Sequence, residues 1–103
     1  MKIVEKICKE WNSICRVFNI KENPLTYSHK DLLEFAEYYH NSQLNNDVAL
    51  DIVMLSYIKK LCKEYNKKPE QIVLNIDDES KTIDAYFVDN KSKIYHLDSK
   101  TYN

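Results

Sequence analysis

Three histidines, His29, His40 and His96, and three cysteines, Cys8, Cys15 and Cys62, are the side chains of this sequence best suited to chemistry. A zinc site would draw such donors from close pairs of the C-x-x-C or H-x-x-x-H kind. No two of them stand at that spacing. A catalytic cysteine needs a lowered thiol pKa and a nearby base. Cys62 falls instead among Ile58, Leu61 and Tyr65, where burial raises the pKa. All three cysteines lie on apolar stripes, where a thiol packs as a small hydrophobe. The acidic run Asp77-Asp78-Glu79 lacks the ligand spacing and the turn glycine of a calcium loop. These residues therefore predict no metal ion, no cofactor and no catalytic group, and the chain is expected not to be an enzyme.

Glycine is absent from all 103 residues, where an average chain of this length carries about seven. Its absence removes the phosphate loops, the dinucleotide fingerprint and the nucleophile elbow, all of which depend on it. Part of the cause is genomic. Lysine so dominates the 15 basic residues that Arg16 is the one arginine, and alanine occurs only at Ala36, Ala49 and Ala85. Residues with AT-rich codons are favoured throughout. An AT-rich bacterium, or a phage or plasmid living in one, is the expected source.

Length fits a single domain over residues 1–103. At 44% hydrophobic and 30% charged the chain can bury a core and stay soluble. Its net charge of −1 gives no global field to draw nucleic acid or anionic lipid. No apolar run approaches the ~18 residues of a membrane span, and the N-terminal residues break their apolar pattern with Lys6, Lys9 and Glu10, unlike a signal peptide. The odd number of cysteines points to a reduced, cytoplasmic protein.

The residues above must be positioned by six predicted elements. Ile3, Val4, Ile7, Cys8, Trp11, Ile14, Cys15 and Phe18 share one face of a helix over about 2–18. Ser28 and Asp31 form a capping box, with Tyr27 and Leu32 at staple positions, for a second helix over 28–43. A third helix over 47–65 is apolar nearly all round in its first half, so it should be enclosed. Asn66 should end it in the left-handed conformation, and Pro69 punctuates the stop. The apolar period then falls to 2, giving strands over 71–77, 82–89 and 93–97 joined by short turns, with Asn90 left-handed in the second turn and residues 98–103 frayed. The expected fold is α+β: a three-helix N-terminal part packed on one face of a C-terminal three-stranded antiparallel β-meander.

Asp51 conflicts with its apolar neighbours Leu55, Ile58 and Cys62. An unpaired buried carboxylate is costly, so a structural pair with His40 is expected. Glu34, Tyr38 and Asn41 should point away from the core of the second helix, and Val73, Tyr86 and Val88 should occupy the outer sheet face. Rigid amphipathic rings among small polar groups suit protein recognition. The expected function is a small cytosolic protein-binding module of the inhibitor, antitoxin or immunity type, acting by steric contact with another protein through one of these surfaces. A nucleic-acid-binding regulator using the Lys59–Lys68 cluster is the alternative. The order helix-helix-helix-hairpin matches a winged helix, but residues 48–55 are too apolar to read bases and the would-be wing is acidic, which disfavours nucleic acid. A homo-oligomer joined through the outer sheet face is the third possibility.

Overall fold

A computed structural model describes residues 24–41 and 46–102. The expected helix over 2–18, and with it the three-helix count, lies outside the described residues.

Helix α1 spans His29–Asn41. It starts at the expected cap: the Asp31 backbone N–H donates to Ser28 Oγ at 3.2 Å, and the Leu32 N–H donates to the Ser28 carbonyl at 3.1 Å. Tyr27 packs edge-on against Phe35, with ring centres 5.0 Å apart, and against the core cluster that holds the fully buried Leu32. Helix α2 spans Asn46–Tyr65. It offers Ala49, Ile52 and Leu55 to Leu32, Ala36 and Tyr39 of α1. Met54, Tyr57, Ile58 and Leu61 face the sheet. The two sets lie on opposite sides of the helix at 100° per residue, so α2 is a middle layer. No residue from Val48 to Leu55 is exposed, as an all-round apolar helix requires. Asn66 takes φ 54° and the Lys67 N–H reaches the Cys62 carbonyl at 3.1 Å, closing α2 with a Schellman cap. Tyr65, in that last turn, is 41% exposed, and its hydroxyl donates to the Leu97 carbonyl at 3.1 Å.

His29 Nδ1 and the Ser56 hydroxyl are hydrogen-bonded between the two helices. The imidazole also reaches the Ser56 carbonyl at 3.1 Å, and the hydroxyl donates to the His29 carbonyl at 3.1 Å. Ser56 is wholly buried and fully satisfied by this exchange.

Strands β1 (Ile72–Asp77), β2 (Thr82–Val88) and β3 (Ile94–Thr101) form an antiparallel sheet in the order β1-β2-β3. Ile72 pairs with Phe87, Leu74 with Ala85 and Ile76 with Ile83, and this face packs on α2. The third strand is longer than expected, and residues 98–102 are not frayed. Ala85 pairs with Asp98 while Tyr86 pairs with His96, so Leu97 is an extra residue. Such a bulge turns two successive side chains to one side. Leu97 and Asp98 both serve the helix-facing side: Leu97 packs on the core and Asp98 accepts from the Tyr57 hydroxyl. Beyond them Tyr102 is only 9% exposed.

The hairpins also differ from expectation in one residue. Ser92, with φ 63°, carries the left-handed position, and Asn90 does not. The Ser92 N–H bonds to the Asp89 carbonyl at 3.0 Å, and Asp89 Oδ1 accepts from the Lys91 and Lys93 backbones at 2.8 and 2.9 Å. A tight turn followed by one left-handed residue moves that conformation to its end. In the first hairpin Lys81 plays the same part at φ 56°. Asp77 Oδ1 accepts from the Glu79 and Ser80 backbones there, and these bonds hold its carboxyl below the usual range.

Candidate functional site

The outer sheet face follows from the register. Opposite the helix-facing pairs, Val73 meets Tyr86, Asn75 meets Asp84 and Val88 meets Ile94. Val73, Tyr86 and Val88 are half-buried, and Ile94 is 64% exposed. These four give the face an apolar end. Its other end is polar, built by residues that the sequence alone did not bring together. Ser99 Oγ donates to Asp84 Oδ1 at 2.5 Å, and His96 Nε2 lies 2.9 Å from Ser99 Oγ. His96 Nε2 is 3.7 Å from the same carboxylate oxygen, and the Tyr86 ring stands edge-on to the imidazole at 5.2 Å.

Serine, histidine and aspartate are the trio of acyl transfer, but their order here is wrong for it. A triad passes the serine proton to histidine, whose far nitrogen is oriented by the acid. Here the serine proton points at Asp84, and both partners crowd Nε2. All three side chains are open to water. The arrangement can clamp β2 to β3, with the serine hydroxyl directed at Asp84 rather than at His96. The signal for it was the β2–β3 register, which the bulge at Leu97 conceals in the sequence.

Glu34, Tyr38 and Asn41 are all exposed on α1, and Tyr38 is 61% exposed. With α2 between α1 and the sheet, this face and the outer sheet face look in opposite directions. The two candidate surfaces are thus separate. His40 is exposed at the end of α1, and Asp51 is 7% exposed on α2. His40 shares a groove with Val53, from which Asp51 stands about 160° around the helix.

No family model matches the chain, and neither does any curated protein or solved structure. In the lysine cluster, Lys59 Nζ donates to the Leu25 carbonyl at 2.7 Å, Lys60 meets Glu64 at 3.9 Å, and Lys67 Nζ lies 4.0 Å above the Phe87 ring. Burial lowers the Lys59 pKa against the pull of Asp31. Three cationic groups of that cluster thus already have local roles, which weakens it as a phosphate-binding surface. Cys62 is half-buried; burial first, then Glu70, pushes its thiol up against the opposing Lys59, which disfavours the thiolate. Among the described residues no group of three His, Cys, Asp or Glu side chains is placed to hold a metal ion, and no helix is long and apolar enough to cross a membrane.

A groove of about 610 Å³ opens between α1, α2 and the end of the sheet. Its floor is apolar, and Lys81 and Lys100 enter it from the sheet end. Neither lysine stands out in the sequence, because each is isolated there and the β2–β3 pairing brings them together.

Proposed function

We propose that this chain is a cytoplasmic protein-binding module of the inhibitor, antitoxin or immunity type. It works without a cofactor, covering a partner's working surface through the outer sheet face. The observation that carries this proposal is Ile94: a large aliphatic side chain, 64% exposed, paired with Val88 beside Tyr86 and Val73. An apolar patch bordered on one side by polar groups, here Asp84, Ser99 and His96, suits a transient interface. The partner's matching surface is then aliphatic or aromatic against the apolar end, with donors and acceptors against the polar end.

Affinity purification of the tagged chain from its host, compared with its Tyr86→Arg variant, tests this. A protein recovered in equal amount with the wild type and lost with the variant supports the proposed surface. Loss with Tyr38→Ala instead moves the site to α1 with Glu34 and Asn41. A dimer by light scattering that Tyr86→Arg dissociates assigns the sheet face to self-association. Retention on DNA that survives Tyr86→Arg but weakens steeply with salt would favour the lysine cluster and a nucleic-acid partner.

A further inference from the structure

We infer that the groove between α1, α2 and the end of the sheet binds an aliphatic carboxylate, a medium-chain fatty acid in size and chemistry. This site is independent of the outer sheet face. The groove volume of about 610 Å³ lies in the range of small-ligand sites. Leu33 and Ala36 of α1 and Leu50 and Val53 of α2 line it with hydrocarbon. Leu33 is left exposed at the rim. This apolar stretch suits an alkyl chain, and the polar lining is confined to Glu37 and His40 of α1 and the residues of the sheet end.

The charge at its end selects the head group. Lys100 pairs with Ile83, and the Tyr102 N–H bonds to the Lys81 carbonyl at 2.8 Å, so the two lysines are diagonal neighbours across β2 and β3. Like charges on neighbouring strands disfavour each other. Neither lysine forms an ion pair among the described residues; each ammonium lies over a ring instead, Lys81 at 5.8 Å from Tyr102 and Lys100 at 4.9 Å from Tyr57. The carboxylates on those rings are already engaged. Asp78 accepts from the Tyr102 hydroxyl at 2.7 Å, and Asp98 from the Tyr57 hydroxyl at 2.6 Å. An anion between the two lysines converts their repulsion into two charge-assisted contacts. Glu37 and His40 share the α1 wall, so the two lysines of the sheet end are the stronger attraction for an anionic head.

Decanoate, kept below its micelle concentration, is the probe, with decanol and decylammonium as controls of equal chain length. Calorimetry and backbone amide shifts read the result on the full chain. Decanoate is expected to bind one to one, shifting the amides of Leu33, Ala36, Leu50 and Val53. Decanol should bind about tenfold more weakly, and decylammonium more weakly still. The doubly substituted Lys81→Gln, Lys100→Gln chain should bring decanoate down to the level of decanol. Equal binding of decanoate and decanol by the wild type would overturn the inference without any variant. So would shifts centred away from the groove, or full decanoate binding by a folded double variant.

Discussion

The Tyr57 hydroxyl donates to Asp98 Oδ2 at 2.6 Å, fastening the middle of α2 to the edge strand β3. Asp98 can face the helix only because Leu97 is an extra residue in its strand. The bulge, the bond and the length of β3 are therefore one feature. Removing the donor leaves a half-buried carboxylate without its hydroxyl partner. Tyr57→Phe is expected to cost about 1–3 kcal/mol, read as a lower urea midpoint with an unchanged slope. The strand residues 98–101 should lose amide protection first.

The same bond fixes a pH dependence. Burial, and then Asp98, raise the Tyr57 pKa well above its ordinary value. The folded state thus favours the neutral phenol. Its contribution is complete below the unfolded pKa of about 10 and is lost as pH climbs from there towards the raised folded value. Urea midpoints should hold between pH 7 and 9 and fall above about 10. Tyr57→Phe should flatten that fall. An identical alkaline slope in both proteins would count against the linkage.

Ser56 and His29 make a second fastening, between α1 and α2. Ser56 is wholly buried and its hydroxyl serves both His29 Nδ1 and the His29 carbonyl. Ser56→Ala should cost about 1–2 kcal/mol by the lost bonds. Ser56→Val should cost more, since the site has no room for added methyl groups. Thermal melts of the two variants give the comparison.

Without glycine, left-handed conformations among the described residues fall on Asn66, Lys81 and Ser92. A Cβ in that region is strained, except where asparagine eases it. Ser92→Gly and Lys81→Gly should each stabilise the chain by about 0.5–1 kcal/mol, and Asn66→Gly by less. Chemical denaturation of the three variants tests the ranking.

That ranking also marks how far the sequence could be read. Asn66 announced its role, because asparagine after a helix followed by Pro69 has few other meanings. Serine and lysine carry no such signal, so Ser92 and Lys81 emerge only from the turns they close. The Ser28 cap, the enclosed run Val48–Leu55 and the strand alternation were legible as local chemistry. The reach of β3 was not: Leu97 breaks its period, and Asp98, Ser99, Lys100 and Thr101 are polar. Both the polar end of the outer face and the charged end of the groove depend on that hidden register. Asp84 meets Ser99, Tyr86 meets His96, and Lys81 and Lys100 become diagonal neighbours only when β3 is paired through its bulge.

Ser99 offers the sharpest separation of clamp from catalyst. Its hydroxyl donates to Asp84, while His96 Nε2 lies 2.9 Å from the same oxygen. A clamp predicts that Ser99→Ala loosens the β2–β3 pairing, lowering the protection of the Asp84 and Tyr86 amides. It predicts no burst and no acyl-enzyme with an activated ester such as p-nitrophenyl acetate. Any slow hydrolysis should be that of an exposed imidazole, retained in Ser99→Ala and lost in His96→Gln. A burst that vanishes with Ser99→Ala would mean that the serine proton moves to His96 after all, and the cluster would then have to be treated as an active site.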